Sequence, residues 1–323
     1  MRDPRSTRRR QAGLTLIELM VALVLGLLIA AASVAALIVA RQGFKSVDSG
    51  AQLRENARFA ANLIQRIAVQ AGFENAAYGL ITDPKDPGLS GFDDALVDTT
   101  GWTTAPVLAH GSRSTGCGAV TDTSCQNGSD VLIVRFWGVS RGGAADGTMI
   151  NCSGMPEPEG ADRAWSIFHV VRSAAGEPTL ACTYRNPTTL AWATVPLVGG
   201  VEAFQALYGV DTLKADGTAA ATPADGDTVA DRYLTARQLD TIPGAGVIDN
   251  WRRVRAVRIG LVIRGPVADA VDRSAAAAAS MAVLGDGFTT AADTGSALTF
   301  AADGRLRQRL VFTVHLRNAQ LAP

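Results

Sequence analysis

An uncharged apolar segment near the N-terminus constrains this chain more than any other feature. No charged residue occurs in the 22 positions from Leu19 to Ala40. An α-helix rises about 1.5 Å per residue, so this segment would be roughly 33 Å long, close to the thickness of a bilayer's hydrocarbon core. Arginines crowd the first ten residues, and basic residues remain on the cytoplasmic side of a membrane. We therefore expect one membrane-crossing helix, with everything after residue 41 outside the cytoplasm.

An acidic residue, Glu18, lies in the apolar stretch that begins at Leu14. A charge in hydrocarbon costs about 2.5–3.5 kcal/mol on insertion scales, so it is rarely present without a partner. One reading is a secretory signal peptide cut near residues 30–32 or 33–35, and another is a plain signal anchor. A signal peptide has a shorter apolar region of about 7–15 residues. Neither reading explains the acid.

The residues around the acid, from Gly13 to Leu19, read GLTLIEL. They resemble the leader of type IV prepilins and type II secretion pseudopilins: a basic leader ending in glycine, an apolar residue, and glutamate at mature position five. The only departure is Leu14, where phenylalanine is commonest. The resemblance implies cleavage between Gly13 and Leu14 by a prepilin peptidase, and N-methylation of Leu14. Glu18 would then pair with the cationic N-terminus of a neighbouring subunit when helices pack in a filament.

A helix is predicted to continue beyond the membrane. Between residues 41 and 71, apolar residues recur at spacings of four and three, which places them on one helical face, while polar residues occupy the other side. Gly72 is a plausible C-terminal stop. The apolar face consists of Leu53, Ala57, Ala60, Ile64, Ile67 and Ala71.

The remainder of the chain is predicted to be a β-rich body. Its 33 glycines and the lack of long helical periodicity favour strands and loops. Residues 79–130 read mainly as loops with short strands, and residues 214–250 and 275–279 as excursions from the same body. The alternation of apolar and polar residues, or a fully apolar run, predicts strands at 131–137, 167–172, 180–185, 201–210, 257–264 and 309–317.

Several short blocks, in order along the chain, resemble the PilW family of type IV pilus proteins. Two lie on the predicted helix and at its end, residues 54–60 (RENARFA) and 71–73 (AGF). Three lie in the predicted body: YGVD at 208–211, WRRVRAVR at 251–258 and LRN at 316–318. The resemblance implies a low-abundance pilin that joins other minor pilins in priming assembly of the main filament.

The expected fold is therefore α+β and type IV pilin-like, with a long N-terminal helix packed on a β-rich globular domain. The expected segments are a leader at 1–13, a transmembrane or filament-core helix at 14–40, an amphipathic continuation at 41–72, and a periplasmic globular domain at 73–323. The chain would reside in the inner membrane by a single pass and later in the pilus at the cell surface.

The expected function is that of a minor pilin, with twitching motility, adhesion or DNA uptake downstream. Its partners would be other minor pilins, the major pilin, the prepilin peptidase and the inner-membrane assembly platform. The alternative within the same superfamily is a GspJ-like minor pseudopilin of type II secretion. A membrane-anchored periplasmic enzyme or binding protein is the alternative from another class. We expect no cofactor and no catalytic activity.

Four cysteines, at 117, 125, 152 and 182, would all lie outside the cytoplasm, where disulfides persist. Four cysteines allow three pairings, and proximity favours Cys117–Cys125 and Cys152–Cys182. A four-cysteine zinc site is the rival reading, but it lacks the C-x2-C spacing of such sites. Disulfides are therefore expected, and no metal.

Two further patterns suggest catalysis only weakly. Residues 138–142 read GVSRG, which matches the G-x-S-x-G nucleophile pattern and follows an apolar strand. That pattern needs a helix directly afterwards, whereas residues 143–147 read as a loop, so a hairpin turn is expected. The three histidines, His110, His169 and His315, are far apart in sequence and have no metal-like spacing.

Two charged clusters raise the questions of calcium and DNA. Asp225, Asp227 and Asp231 supply oxygen ligands, but the full calcium-loop pattern is missing, so a solvated turn is expected. The basic block at 251–258 could contact DNA, although its apolar strand positions favour an exposed sheet face or a subunit contact. Since 30 basic residues balance 30 acidic ones, the net charge gives no support to nucleic-acid binding.

Overall fold

The structure is a computed structural model. It describes residues 13, 15–74, 87–110, 127–160, 162–214, 216–219, 229–266, 279–289, 293–300 and 303–318. The chain divides into two compact units, Met1–Asp48 and Ser49–Pro323. The predicted leader, Leu14, Cys117, Cys125, Asp225 and Asp227 lie outside the described residues, apart from Gly13 at the end of the leader.

Helix α1 runs from Leu16 to Ala68. Its part in the first unit carries no charged residue from Leu19 to Ala40, and its large apolar side chains are exposed, including Leu27 and Ile29. α1 is the one helix of the described residues that is long and apolar enough to cross a membrane. The expected long N-terminal helix is confirmed.

The last five turns of α1 are amphipathic and belong to the second unit. The residues predicted to form its apolar face, Leu53, Ala57, Ala60, Ile64 and Ile67, are all buried. This row packs in the main hydrophobic core of the unit, so the spacing of four and three residues identified the buried face correctly.

The end of α1 is fixed by two glycines. Gly72 has φ +69°, the left-handed conformation that ends a helix readily in glycine. Its N–H donates to the carbonyl of Arg135 at 2.9 Å. A Cβ at Gly88 would collide with the backbone of Gly72, so the chain can pass this closely only where both residues lack side chains. The stop predicted at Gly72 is confirmed, after a turn that follows Ala68.

One sheet has five antiparallel strands in the order β1-β2-β5-β6-β7. Strand β2 reads VLIVRF and is buried throughout, as its two apolar faces predict. A two-residue hairpin, β3 and β4, lies between β2 and β5 in the chain. The strands are β1 Leu89–Phe92, β2 Val131–Phe136, β3 Ser140–Arg141, β4 Ala144–Ala145, β5 Ala164–Arg172, β6 Pro178–Arg185 and β7 Trp192–Gly199.

The other main sheet has four antiparallel strands in the order β13-β10-β8-β9. Two short helices lie between β9 and β10, and a hairpin of β11 and β12 precedes β13 in the chain. The elements are β8 Val201–Val210, β9 Arg232–Leu234, α2 Ala236–Asp240, α3 Val247–Arg252, β10 Val254–Arg264, β11 Ala279–Ala282, β12 Ala297–Phe300 and β13 Arg307–His315.

The main core of the second unit combines the buried row of α1 with one face of each sheet. Phe136 and Phe168 come from the first sheet, and Phe204 and Ile259 from the second; all four are buried completely. A smaller cluster covers the other face of the five-stranded sheet and contains Trp102. All six individually predicted strands are present, β1 lies in the region 79–130 where short strands were expected, and β7, β9, β11 and β12 were not predicted.

A disulfide joins Cys152 to Cys182, with 5.8 Å between their Cα atoms. Cys182 lies on β6, and Cys152 lies in the loop between β4 and β5. Both residues are buried. This is the second of the two pairings that proximity favoured; the first, Cys117–Cys125, falls outside the described residues.

Candidate functional site

The N-terminus of α1 forms a reciprocal cap between Thr15 and Glu18. The Thr15 backbone N–H and hydroxyl both donate to Oε2 of Glu18, at 2.9 and 3.0 Å. The Glu18 N–H donates in turn to the Thr15 hydroxyl at 3.3 Å. This is a capping box, in which a threonine and a glutamate three residues later satisfy helix-start donors for each other. The sequence analysis missed it, although T-x-x-E is the signature.

The capping box means that Glu18 does not depend on a neighbouring subunit for a partner, but it does not exclude such a contact. The carboxylate has a partner in its own chain, so an acid at this depth does not by itself require a second subunit. Both Thr15 donors use Oε2, whereas a carboxylate can accept about four hydrogen bonds. An external cation can therefore bind Glu18 while the cap stays in place. The helix N-terminus fixes the position of the carboxylate for such a contact.

Two side chains, those of Gln70 and Asn318, fix the C-terminal end of α1 to the rest of the second unit. Gln70 clasps the backbone of Ile150: its Nε2 donates to the carbonyl at 3.0 Å, and its Oε1 accepts from the N–H at 3.1 Å. Asn318, in the last segment after β13, points Nδ2 at the carbonyls of Val69, Gln70 and Ala71, at 3.1 to 3.5 Å. These carbonyls belong to the turn that follows Ala68, where α1 ends.

The loop between β4 and β5, to which Gln70 is bonded, is held in place by Asn151 and Cys152. The Asn151 side chain accepts the N–H groups of Ser153 and Met155, and donates to Glu157 at 2.6 Å. The Cys152 N–H donates to the Ser166 hydroxyl on β5 at 3.0 Å. Because the disulfide ties the same residue to β6, the loop is fixed to two strands of the five-stranded sheet.

The blocks at 208–211 and 251–258 meet in one buried cluster. The rings of Tyr208 and Trp251 pack edge to face with centroids 4.7 Å apart. Trp251 Nε1 donates to Asp240 at 2.6 Å, and the other oxygen of Asp240 lies 2.8 Å from Nε2 of His110. His110 Nδ1 accepts the N–H of Asp93. These residues join the loop after β1 to helices α2 and α3 and to strand β8. Their role is therefore structural.

The arginines of the block at 251–258 are used internally. Arg255 pairs with the buried Asp211 at 3.2 Å, and Arg253 is buried and donates to the carbonyl of Thr212. Arg258 donates to the carbonyl of Leu284 and stacks over Phe288 at 4.4 Å. The expectation that this block forms an exposed sheet face is therefore wrong, since none of its residues is exposed, and these arginines do not form a free basic surface for DNA.

An arginine–carboxylate network crosses the four-stranded sheet and reaches the β5–β6 turn. Glu202 on β8 accepts from Arg307 at 2.6 Å and from Arg264 at 3.0 Å. Arg264 also makes two bonds to Glu177, at 2.9 and 2.8 Å. Arg307 makes two bonds of 2.7 Å to Asp303, which lower the pKa of Asp303 to about 2. This network was not predicted from the sequence, because its members are separated by up to 130 positions.

Burial shifts the pKa of several acids and of one histidine. Burial raises the pKa of Asp130 well above its ordinary value, and nearby Asp93 adds to the effect. Burial also raises the pKa of Glu157 to about 7 and lowers the pKa of His169 to about 3. His169 lies 2.8 Å from the Thr183 hydroxyl and is neutral at physiological pH. His315, the third histidine, is exposed at the end of β13.

The other candidate sites have structural explanations. Ser140 lies in the β3–β4 hairpin, whose turn contains Gly142 and Gly143 at positive φ, and its hydroxyl accepts the N–H of Glu159. A hairpin was expected there, and no helix follows. Asp231 accepts the N–H of Leu213. Among the described residues, no three His, Cys, Asp or Glu side chains lie close enough together to hold a metal ion.

The fold and the N-terminal motif define the class of protein. Residues 8–34 match the model of the prokaryotic N-terminal methylation motif, which includes Gly13, Leu14 and Glu18. A long apolar helix that begins in this motif, followed by a β-rich unit, makes the chain a type IV pilin-like protein, and the motif and helix fit a membrane-anchored pilin.

Within this class, part of the chain matches the PilW family. Residues 167–318, from β5 to the segment after β13, match the model described as Type IV Pilus-assembly protein W. The resemblance inferred from the short sequence blocks is thus confirmed. The match is a likeness to a family of type IV pilus-assembly proteins, which implies association with pilus components.

Two further comparisons add little. A solved structure, the type IV-like pilin TTHA1219 from Thermus thermophilus, is similar with 14% sequence identity and a TM-score of 0.37. The match covers 83% of this chain and 98% of that one. No curated protein matches the sequence significantly.

Proposed function

We propose that this chain is a minor pilin that is incorporated into a type IV pilus and primes its assembly. After cleavage between Gly13 and Leu14 by a prepilin peptidase, Leu14 carries an N-methylated amine, which is mostly cationic at neutral pH because such amines have a pKa near 8. The globular unit lies in the periplasm, and the helix is held in the inner membrane until the assembly platform transfers it to the filament.

The observation that carries this proposal is the start of α1. Glu18 is fixed by Thr15 at the head of a helix whose apolar side chains are exposed. Exposed apolar surface of this extent needs lipid or other helices around it. In lipid an acid at this position is costly, whereas in a filament the amine of a neighbouring subunit stabilises it.

Two substitutions separate the charge of Glu18 from its capping role. Glu18→Gln keeps a residue that can complete the capping box but removes the charge, while Thr15→Ala removes the reciprocal cap and keeps the charge. We expect Glu18→Gln and Glu18→Val to insert into the membrane normally and to be nearly absent from sheared pili. Thr15→Ala should be incorporated within a few-fold of wild type, as measured by immunoblot of the pilus fraction.

The opposite result would contradict the proposal. If Glu18→Gln is incorporated normally and Thr15→Ala is not, the acid serves only to cap its own helix. Processing is checked on the same samples, since mass spectrometry of the mature chain should find N-methylated Leu14 as its first residue. A chain that retains its first thirteen residues, or that is cut near residue 32, would rule out a pilin.

The priming role is tested by deleting the gene. Surface pili should disappear while the major pilin persists in the inner membrane, because subunits are made but no filament is started. The minor pseudopilin of type II secretion makes the opposite prediction, in which pili remain and protein secretion stops. The PilW match favours the pilus.

A further inference from the structure

The two main sheets have four edge strands, and three of them are poor templates for another strand. Strand β1 has four residues and β9 has three, which leaves little backbone to pair. Strand β7 has eight residues but contains Pro196, next to a register shift. Short length, proline and bulges are the means by which proteins protect sheet edges from unwanted pairing.

Strand β13 is the exception. It has nine residues, RQRLVFTVH, without proline, and its register with β10 runs unbroken from Arg307 to His315. Among the described residues, β13 pairs only with β10. Its centre is apolar, and Leu310 and Phe312 are only partly buried although they pack against the main core. A long, regular, apolar edge of this kind is a template for strand addition.

The hydrogen-bond pattern identifies the backbone groups that face the open edge. The N–H of Leu316 donates to Arg255, and the carbonyl of Leu306 accepts from Gly265, so the even-numbered residues bond to β10. Bonded and non-bonded pairs alternate in an antiparallel ladder. The N–H and C=O groups of the odd-numbered residues, which include Arg309, Val311 and Thr313, therefore point outward.

We propose that β13 accepts an extended strand from a different pilus subunit, which adds to the four-stranded sheet. The inference rests on the proposed function, because it takes the partner from the same filament. The added strand would carry apolar residues that continue the row of Leu310, Phe312 and Val314. It would also carry an acidic residue near Arg309, the exposed arginine of a strand that contains no acid.

A second copy of this chain is a poor fit to that edge. Its described edges β1, β7 and β9 are too short or are interrupted by proline. Antiparallel pairing of β13 with itself about Val311 would set Arg309 opposite Thr313 and would bring no acid to this exposed arginine. The lack of a suitable edge and of an acid in a second copy thus favours another subunit.

Proline at an outward position tests the edge without breaking the sheet. Val311→Pro removes an N–H that makes no bond to β10, and proline is tolerated where the N–H of an edge strand faces outward. Val311→Ala is the matched control, because it trims the same side chain but keeps the N–H. The full chain of each variant is purified in detergent, and equal unfolding midpoints establish that both fold.

The decisive measurement is residue-resolved hydrogen exchange on β13, in the isolated dilute chain and in sheared pili. In the isolated chain, the amides of Arg309, Val311 and Thr313 should exchange quickly while those of Leu310 and Phe312 are protected. In pili the three odd-numbered amides should slow by at least ~100-fold. Val311→Pro should be depleted from pili about tenfold relative to Val311→Ala.

Three results would overturn the proposal. Protection of the odd-numbered amides already in the dilute chain means that the chain covers its own edge. Protection that appears only as the isolated chain is concentrated means that a second copy is the partner. Fast exchange in pili, with normal incorporation of Val311→Pro, means that the edge stays open. A wild-type chain absent from pili would instead defeat the proposed function itself.

Discussion

The two main sheets are stabilised by different chemistry. The five-stranded sheet is apolar on both faces and is joined to the loop between β4 and β5 by the Cys152–Cys182 disulfide. The four-stranded sheet has one face in the main core, and its other side carries a small apolar cluster around Val262 together with the network of Arg264, Arg307 and Glu202. A disulfide restrains the unfolded chain, whereas a buried ionic network is specific to the folded state.

The contrast is instructive because both sheets hold the same helix end. The five-stranded sheet reaches α1 through its disulfide-bound loop and Gln70, and the four-stranded sheet reaches it through Asn318 after β13. The stability of the first connection should depend on whether the Cys152–Cys182 disulfide is formed. The stability of the second should depend on the charged network of the four-stranded sheet. Substitutions that weaken one route and leave the other intact measure how separate they are.

The largest effect is expected from Glu202→Gln. The Glu202 side chain is only 6% exposed, and that of Arg307 only 5%. Loss of the carboxylate charge leaves two arginines without their shared buried partner, and breaking a buried pair costs about 3–5 kcal/mol. The free energy of unfolding of the full chain in detergent, from denaturant titration, checks this value.

Asp303→Asn is the matched control for Glu202→Gln. Asp303 bonds to the same Arg307, but its side chain is 33% exposed, and pairs near the surface contribute about 0–1 kcal/mol. A loss at Asp303 as large as that at Glu202 would mean that burial does not decide the strength of this network.

A smaller effect is expected from removing the disulfide. Replacing both Cys152 and Cys182 by serine should cost about 2–4 kcal/mol, since the bridge closes a loop with a sequence separation of 30. The paired substitution is preferred to a reductant, which would act on Cys117 and Cys125 as well. Combined with Glu202→Gln, the losses should add to within ~0.5 kcal/mol, because the two sites share no hydrogen-bond partner.

The sequence predicted local patterns well and long-range contacts poorly. The buried row of α1 was found because its members repeat within one helix, and β2 because an apolar run of that length fits a buried strand. Strand β7 was missed because its exposure alternates weakly and Pro196 argues against a strand. The Glu202 network was invisible, since nothing in the spacing of its members relates them.

The N-terminal site shows the same division. Gly13, Leu14 and Glu18 were recognised from a motif of six residues, whereas the function of Asn318 emerged only when β13 brought it to the end of α1. The sequence block LRN had been noted as a resemblance, without a physical reason. The reason is a polar side chain that donates to the carbonyls of the turn after α1, which lie 247 to 249 positions away in the chain.

The two sheets should also differ in their dependence on pH. Burial raises the pKa of Glu157, in the disulfide-bound loop, from 4.5 to about 7. The folded chain therefore keeps a proton that the unfolded chain releases, so this contribution is complete below pH 4.5 and is lost as the pH rises through 7. Between pH 6 and 8 the stability should fall by about 1 kcal/mol. Glu157→Gln should remove that slope, and an unchanged slope would contradict the assignment.

The smallest effects are expected at the two side chains that hold the end of α1. Gln70→Ala should cost about 1 kcal/mol, because it removes both bonds to the backbone of Ile150. Asn318→Ala should cost somewhat less, since two of its three contacts are at 3.4 and 3.5 Å.

Asn318→Asp separates capping from simple loss of the side chain. An aspartate is close in shape to asparagine, but it cannot donate when ionised, and its charge faces the negative end of the α1 dipole. At pH 7 it should therefore be less stable than Asn318→Ala, by about 0.5 kcal/mol, and the difference should shrink as the carboxylate is protonated below pH 4. Equal stabilities of the two variants at pH 7 would mean that Asn318 fills space beside the helix end without capping it. The four-stranded sheet would then hold α1 through apolar packing alone.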